Sequence, residues 1–245
     1  MDKYFITTPI YYINDKAHIG HAYTTIAADV LARYYRQQGA EVLFSTGTDE
    51  NSLKTVEAAA AAGEEITAYT ETMAKQWQKT WDNLNISYDR FIRTTETIHK
   101  ETVYALLERL EKAGDIYKGT YKGLYCLGCE EFIKEAELVD GKCPEHNQAP
   151  ELVEEENYFF KLSKYQKLLL EHIQANPKFI QPETRRNEVV AFIKRGLEDI
   201  SISREGGQWG IPFPLNDKHV IYVWTEALVN YLTVATSAAG GAKKW

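Results

Sequence analysis

The chain has 245 residues, of which 44% are apolar and 26% are charged, and its net charge is -7 at pH 7. This length allows one large domain or two smaller ones, and the negative charge argues against a protein whose whole surface binds nucleic acid. No stretch approaches the roughly 20 consecutive apolar residues of a membrane span, and the first residues do not resemble a signal peptide. Three cysteines do not make a disulfide framework, so we expect a cytoplasmic protein with reduced thiols.

Predicted strands and helices alternate over the first 115 residues. Strands are expected at 4–8, 41–47 and 90–94, and helices over a long stretch ending at Gly39 and over 53–62, 66–83 and 96–113. Ser52 is the expected N-cap of the second helix, and Gly63 closes it. The first helix carries Ala22, Ile26, Val30 and Tyr34 on one face. The alternation predicts an α/β fold with a Rossmann-like parallel sheet.

The pattern changes near residue 115. The segment "DIYKGTYKGLYC" alternates like a hairpin, with turns expected at Gly119 and Gly123. Further elements are expected as a strand at 157–163, helices near 164–175 and 184–195, a buried strand at 219–224 and a helix ending near 237. We infer an α+β insertion at 116–218, between the first half of the nucleotide domain (1–115) and a return to its sheet (219–245).

Two histidines flank a glycine where the first strand gives way to the first helix. His18 and His21 can each donate an imidazole hydrogen bond, and Gly20 has no side chain to hold a phosphate away from the backbone. In open α/β sheets a helix N-terminus beyond a strand is a common anion site. The pattern therefore favours a phosphate site that stabilises charge during displacement, over the alternative of ordinary polar residues at a helix start.

The three cysteines and one histidine have the spacing of a metal site. Cys126-x2-Cys129 is followed after thirteen residues by Cys143-x2-His146, which suits tetrahedral Zn²⁺. Four protein ligands leave no open position, so a structural zinc is predicted. A metal would supply folding energy in a polar loop that cannot bury a core. The alternative is three unrelated cysteines and a surface histidine.

The segment "GTDEN" follows the second predicted strand. Asp49 lies there, and its carboxylate is suited to bind a substrate ammonium group through a charge-assisted bond. An aspartate after Gly-Thr is equally typical of a turn or a helix cap.

The "HIGH" tetrapeptide, with "TTPIYYIN" before it and "AYTTIAADVLARY" after it, closely resembles the N-terminal catalytic region of methionyl-tRNA synthetases, which are class I aminoacyl-tRNA synthetases. The resemblance continues through nearly the whole chain, in the segments "STGTDE" (45–50), "DRFIRTT" (89–95), "GDIYKGTYKGLYC" (114–126), "DISISR" (199–204), "WGIPFP" (209–214) and "VIYVW" (220–224). These segments in this order are far more specific than the tetrapeptide alone.

The resemblance implies site residues and ligands. It implies that His18, Gly20 and His21 contact ATP, which binds with Mg²⁺, and that Asp49 holds the α-amino group of methionine. Positions that match the wall of the family's methionine pocket are Ile10, Tyr12, Trp224 and Tyr231. Without the resemblance, ordinary core packing is the simpler interpretation of these four. Some members of the family carry a single zinc knuckle in their connective domain, in agreement with the cysteine spacing.

The chain departs from the family pattern at two places near the implied pocket. It has Asn51-Ser52 where the family commonly has His-Gly, and Glu226 where the family usually has aspartate. The family's Lys-Met-Ser-Lys-Ser loop would follow the last residues of this sequence. "KLSKY" (161–165) looks similar, but it lies in the predicted insertion, so we interpret Lys161 and Lys164 as solvated residues at a strand–helix junction.

The resemblance implies an activity, methionine–tRNA ligation. Methionine reacts with ATP to give methionyl-adenylate, and the methionyl group then passes to tRNA. From the sequence we expect an N-terminal catalytic fragment, without the second phosphate loop and the anticodon-binding domain, that is inactive or weak alone. Two alternatives remain open, a non-catalytic fragment that binds ATP, an amino acid or a partner, and another nucleotidyl transferase with an HxGH site.

Overall fold

The computed structural model describes residues 1–126, 128–129, 131–206, 209–241 and 244. The strands are β1 (Lys3–Tyr12), β2 (Glu41–Asp49), β3 (Arg90–Arg93), β4 (Ile116–Cys126), β5 (Glu131–Ile133), β6 (Glu151–Phe160), β7 (Ile200–Ser201), β8 (Ser203–Glu205) and β9 (His219–Ile221). The helices are α1 (Ile19–Gln37), α2 (Leu53–Ala62), α3 (Ile66–Asn83), α4 (Thr97–Lys112), α5 (Gln166–Ala175), α6 (Glu183–Lys194), α7 (Val223–Ala227) and α8 (Asn230–Ser237). Within these described ranges, every helix is too short or too polar to cross a lipid bilayer.

The chain divides into two compact units. The first unit contains Met1–Leu106 and Gly206–Trp245, and the second contains Leu107–Glu205. The sequence predicted an insertion at 116–218, so the compact middle unit begins nine residues earlier and ends thirteen residues earlier than that prediction.

The first unit is built on a parallel sheet of order β1-β2-β3, which confirms the predicted α/β class. A core of large aromatic side chains packs on it, with Phe44 from β2 and Trp77 and Trp81 from α3 almost completely buried. A second hydrophobic cluster forms where Val234 of α8 packs against Leu43 and Ile92 of the sheet. The residues after β9 therefore contribute a helix to this unit.

A bulge in β1 sets which residues face the end of β2. The register shifts between Thr7 and Ile10, where Pro9 has no N–H to give to a ladder. Thr8 Oγ1 instead donates to Thr46 Oγ1 at 2.7 Å. Beyond the bulge, Ile10 lies opposite Gly47 and Tyr12 lies opposite Asp49.

Local sequence signals located most helix ends correctly. Ser52 is the N-cap of α2, where its side chain accepts a hydrogen bond from the backbone of Thr55 at 3.2 Å. Gly63 closes α2 with a φ of 69° and Gly39 follows α1 with a φ of 80°, a left-handed conformation that glycine adopts without strain. These predictions are confirmed.

The buried face of α1 differs from the apolar face of its sequence. Ile26, Val30 and Tyr34 are exposed, whereas the buried residues are Thr25, Ala28, Asp29 and Ala32. Asp29 Oδ1 accepts hydrogen bonds from the backbone and hydroxyl of Ser87 at 2.7 and 2.6 Å, and Asp29 Oδ2 accepts from Arg33 at 2.7 Å. Small residues and a hydrogen-bonded carboxylate thus hold this helix, a pattern that apolar periodicity does not reveal.

Two further predictions need correction. β4 runs unbroken through Gly119 and Gly123 because it pairs antiparallel with β6, from Ile116 opposite Phe160 to Tyr125 opposite Glu151, in a sheet of order β5-β4-β6-β7. The predicted turns at those glycines are therefore wrong. The predicted strand at 219–224 ends at Ile221, because Tyr222 is the N-cap of α7.

The lysines of the "KLSKY" segment have structural partners. Lys164 Nζ pairs with Oδ1 of the buried Asp115 at 2.5 Å, and the hydroxyl of Tyr165 donates to Oδ2 at 2.5 Å. Lys161 Nζ donates to the carbonyl of Gly114 at 2.7 Å. Both lysines lie at the strand–helix junction, as predicted, and Lys164 is 54% exposed, but their side chains also link the residues before β4 to the segment after β6.

We expect Gly47→Ala to destabilise the first unit severely. A Cβ at this position would overlap the carbonyl oxygen of Ile92 on β3, and overpacking of this kind typically costs about 1–3 kcal/mol or more. Gly119→Ala is the matched control, because its Cβ would lie 3.4 Å from the ring of Phe159, an ordinary contact. Thermal unfolding followed by circular dichroism measures both, and equal melting temperatures for the two variants would contradict the expectation.

Candidate functional site

The carboxyl ends of the three parallel strands bring the predicted site residues of the first unit to one edge of the sheet. β1 leads into the loop before His18, β2 ends at Asp49, and β3 leads to Thr94. Residues far apart in sequence therefore share this edge, and the parallel pairing is the cause.

The two histidines cap α1 reciprocally. The Nδ1 atom of His18 accepts a hydrogen bond from the backbone of Gly20 at 3.0 Å, and the Nδ1 atom of His21 accepts from the backbone of His18 at 3.2 Å. Their ring centroids are 3.7 Å apart. A Cβ on residue 20 would lie 2.9 Å from Cε1 of His18, so any larger residue would have to displace the His18 ring from this position.

The caps fix which nitrogen of each ring is the donor. Because Nδ1 accepts in both rings, each neutral imidazole carries its proton on Nε2. Burial, together with the neighbouring His18, lowers the pKa of His21, so His21 is neutral near pH 7. Its ring lies 4.9 Å from the ring centroids of both Tyr11 and Trp77, two residues that the sequence analysis did not select because both read as core.

Three residues of the implied methionine pocket lie together. Tyr12 is directly opposite the buried Asp49 in the strand pairing, and its ring meets that of Trp224 edge-on at 6.4 Å. Trp224 is 44% exposed, which is unusual for a tryptophan of the core and leaves apolar surface at this edge.

The remaining two pocket residues lie along β1. Ile10 is partly buried against the cluster of Leu43, Ile92 and Val234. Tyr231 donates its hydroxyl hydrogen bond to the carbonyl of Thr8 at 3.3 Å. The structure thus places Ile10 with a core cluster and ties Tyr231 to the bulge of β1.

Glu50, next to Asp49, is fully buried and satisfied. Its Oε1 atom accepts from Arg93 Nε at 2.8 Å and from Thr48 Oγ1 at 2.7 Å, and its Oε2 atom accepts from Thr95 Oγ1 at 2.5 Å. The Glu50 and Glu71 carboxylates raise the pKa of Arg93 against the opposing effect of its burial. The ion pair between Glu50 and Arg93 therefore joins the ends of β2 and β3.

The two departures from the family pattern contact each other. The Nδ2 atom of Asn51 donates to Oε1 of Glu226 at 3.0 Å, across 175 residues of sequence. Glu226 Oε2 lies 2.8 Å from Nε2 of His99, and both side chains are completely buried. The third departing residue, Ser52, caps α2. The Ser52 cap was predicted from the sequence, whereas the contacts among Asn51, Glu226 and His99 had no signal in the sequence beyond the departures themselves.

In the second unit, Cys126, Cys129, Cys143 and His146 form a cluster. Their candidate ligand atoms all lie within 4.8 Å of one another, and none of the three cysteines is in a disulfide. Cys129 Sγ lies 3.5 Å from Cys143 Sγ and 3.3 Å from His146 Nδ1, and Cys143 Sγ lies 3.8 Å from that nitrogen. The predicted grouping of these four residues is confirmed.

The cluster fits a tetrahedral ion. Zn–S bonds of about 2.3 Å and Zn–N bonds of about 2.0–2.1 Å place tetrahedral ligands about 3.8 Å (S to S) and about 3.6 Å (S to N) apart. Gly128 makes the packing possible, since a Cβ there would lie 2.6 Å from Cδ2 of His146. The four side chains can hold a metal ion with all positions filled.

The similarities to known proteins agree with this geometry. The family model described as tRNA synthetases class I (M) matches residues 4–150 and 146–245. The methionine–tRNA ligase of Streptomyces coelicolor is 49% identical over 239 residues, which is 94% of this chain and 44% of that protein. The corresponding ligase of Thermotoga maritima is 46% identical over 235 residues, 94% of this chain and 37% of that protein.

Solved structures give the same result. The Mycobacterium tuberculosis methionyl-tRNA synthetase in complex with methionyl-adenylate superimposes with a TM-score of 0.91 at 47% identity, covering 97% of this chain and 47% of that chain. The apo form of the same enzyme gives a TM-score of 0.79 at 44% identity, covering 96% of this chain and 46% of that chain.

These relatives are longer than the chain described, which spans less than half of each. The match nevertheless runs through both units, from the strand before the two histidines to α8. The chain belongs to the class I tRNA synthetases of the M type, the methionyl-tRNA synthetase family.

Proposed function

We propose that this chain forms the amino-acid and ATP site of a methionine–tRNA ligase. The observation that carries the proposal is the 49% identity over 94% of the chain to a methionine–tRNA ligase. The superposition on a synthetase in complex with methionyl-adenylate supports it. The chain's substrates would be methionine, ATP and tRNA.

The proposed reaction has two steps. A carboxylate oxygen of methionine attacks the α-phosphorus of ATP, the bond to the bridging oxygen of the β-phosphate breaks, and methionyl-adenylate and pyrophosphate form. The methionyl group then passes to the terminal adenosine of tRNA, and AMP leaves. Little covalent chemistry falls to the protein, so positioning and charge stabilisation supply most of the rate.

The histidine pair is suited to the first step. Both rings present Nε2–H as their donor, because each Nδ1 is held by a backbone N–H. Donors fixed before the reaction stabilise charge developing on a phosphate without reorganisation. We assign His18, Gly20 and His21 to ATP, with His21 stabilising the transition state. Mg²⁺ bound with ATP would balance the charge of the triphosphate.

The methionine site is assigned to the edge where Tyr12, Asp49 and Trp224 meet, with Ile10 and Tyr231 beside it. A buried carboxylate binds an ammonium group through a charge-assisted hydrogen bond, and aromatic walls suit a polarizable thioether. An apolar pocket distinguishes one methylene by only about 1–3 kcal/mol, so we expect some misactivation of near-isosteres of methionine.

Zn²⁺ is the ion we assign to the cysteine cluster. Three thiolates and one imidazole are its preferred ligands, and a closed shell makes the role structural. We further propose that the second unit, Leu107–Glu205, is the connective insertion of the family. A cytoplasmic location is proposed as well, since reduced thiols persist in that compartment.

The alternatives from the sequence make different binding predictions. A non-catalytic module would keep the cysteine cluster and could still bind ATP, an amino acid or a partner, but would not exchange pyrophosphate with ATP. Another nucleotidyl transferase would bind ATP without a preference for methionine. Binding of amino acids to the chain therefore separates the ligase from another nucleotidyl transferase, and ATP–pyrophosphate exchange separates it from a non-catalytic module.

We expect the chain to bind methionine with at least tenfold preference over leucine and cysteine, measured by isothermal titration calorimetry. Asp49→Asn should weaken methionine binding roughly 10- to 100-fold, because a hydrogen bond to a charged group is worth about 1.5–3 kcal/mol. Asp217→Asn, at an exposed position of the same unit, is the matched control. Equal affinity for the three amino acids would refute the proposed function.

We expect one zinc per chain, with Gly128→Ala losing it at least tenfold more readily to a chelator. The added methyl group displaces the ring of His146, and misplaced ligands typically lower metal affinity about 10- to 100-fold. Gly119→Ala serves again as the control, since it lies in the same unit and the nearest atoms to its Cβ, in the rings of Phe159 and Tyr117, would be 3.4–3.5 Å away. Zinc content by mass spectrometry decides, and identical retention by both variants would count against the assignment.

A further inference from the structure

A chain of buried hydrogen bonds lies behind the proposed methionine site. It runs from Asn51 Nδ2 to Glu226 Oε1 (3.0 Å), from Glu226 Oε2 to His99 Nε2 (2.8 Å), and from His99 Nδ1 to Thr233 Oγ1 (3.1 Å). The side chains of Glu226, His99 and Thr233 are completely buried. All four residues belong to the first unit, and the roles proposed above use none of them.

The donors and acceptors of this network can be assigned. The hydroxyl of Thr233 donates to the carbonyl of Val229 at 3.1 Å, so its oxygen accepts from Nδ1–H of His99. A neutral His99 ring then has Nε2 as its acceptor, and Glu226 supplies the proton as a carboxylic acid. Oε1 of Glu226 accepts a hydrogen bond from the side-chain amide of Asn51, which does not ionise and so adds no charge to the network. The His99–Glu226 pair therefore holds one shared proton and no net charge.

Burial explains why the pair is neutral. Burial raises the pKa of Glu226 to about 8, and the nearby Glu50 carboxylate raises it further. The hydrogen bond from Asn51 and the charge of Lys100 act in the opposite direction. Burial also lowers the pKa of His99 to about 4, opposed by Glu96 and supported by Lys100. The ion pair between Arg93 and Glu50 balances the nearest carboxylate.

Three of the four network residues are two positions from a proposed methionine-site residue. Asn51 follows Asp49 at the end of β2, Glu226 follows Trp224 in α7, and Thr233 follows Tyr231 in α8. Asn51 also donates to Thr94 Oγ1 at 3.3 Å, beyond the end of β3. The network thus joins one strand end to both helices that carry the pocket aromatics.

We propose that Glu226 is a positioning residue that, through Asn51 and His99, holds Asp49, Trp224 and Tyr231 in the arrangement that binds the amino acid. The inference rests on the proposed function, because it describes how buried residues behind the proposed methionine site hold that site in place. The Asn51–Glu226 contact makes it specific, since the two side chains must match in length. Asp at 226 is one methylene shorter, and His at 51 reaches further.

The first test is a double-mutant cycle in methionine affinity, measured by isothermal titration calorimetry. Asn51→His and Glu226→Asp alone should each weaken binding about 5- to 30-fold, because a buried hydrogen bond is lost. The double variant should recover to within about threefold of the wild type, since the longer donor meets the shorter acid. Glu101→Asp, on the exposed side of α4, is the matched control.

Two results would overturn the positioning role. One is wild-type affinity in either single variant that remains folded, and the other is a double variant whose loss is the sum of the two single losses. If the wild-type chain fails to bind methionine, the proposed function fails and the positioning role falls with it. Selective binding by the wild type together with unaffected variants would refute only the positioning role.

A second test needs no ligand. The unfolded chain, with ordinary pKa values of 4.5 and 6.5, loses its last proton as the pH rises through 6.5, whereas the folded pair loses its proton only as the pH rises through about 8. Between these two values the stability from this pair therefore falls as pH rises, by up to about tenfold in the unfolding constant per pH unit. Between pH 4.5 and 6.5 both states hold one proton, and the pair adds no pH dependence.

Glu226→Gln keeps both hydrogen bonds but has no proton to lose. The ratio of unfolding constants, wild type to Glu226→Gln, should rise about 15-fold from pH 6.5 to 8, because Glu226 is half ionised at pH 8, as measured by urea unfolding. Tryptophan fluorescence reports on the first unit, because all five tryptophans lie within its residues. A ratio that does not change with pH would show that the pair holds no shared proton, and would overturn this part of the inference.

Discussion

The register of β1 against β2 is the constraint on which the candidate site depends. Parallel pairing brings three strand ends to one edge, and the bulge at Thr8–Pro9 decides which residues of β1 meet that edge. Without the extra residue, every side chain beyond it would point to the opposite face of the sheet. Tyr12 would then not lie opposite Asp49. The approach of Ile92 to Gly47 fixes the spacing on the other side of β2.

Sequence reasoning succeeded where the determining interaction is local. The N-cap at Ser52, the left-handed glycines at 39 and 63, and the grouping of Cys126 with His146 all depend on a few neighbouring residues or on ligand spacing. It failed on the turns at Gly119 and Gly123, because long pairing with β6 holds both glycines in a strand. Tertiary contacts override local turn preference there.

The sequence points to the residues proposed to contact ligands, but not to the residues that surround and hold them. The motif chemistry predicts roles for His18 and His21, and the family resemblance predicts one for Asp49. The aromatic surroundings of His21 come from Tyr11 of β1 and Trp77 of α3, which the sequence does not distinguish from core residues. The bond between Asn51 and Glu226 joins residues 175 positions apart, and neither has a pattern of its own. A single sequence showed only that both positions depart from the family.

The neutral His99–Glu226 pair also bears on the charge of the site. An ionised Glu226 would add a second negative charge to the strand edge that carries Asp49, and like charges disfavour ionisation of one another in a buried setting. Arg93 removes the same conflict at Glu50 by pairing with it. At Glu226, the proton shared with His99 removes the negative charge, so no second cation is needed there. Glu50 and Glu226, the two other acids buried at this edge, therefore add little uncompensated negative charge beside Asp49.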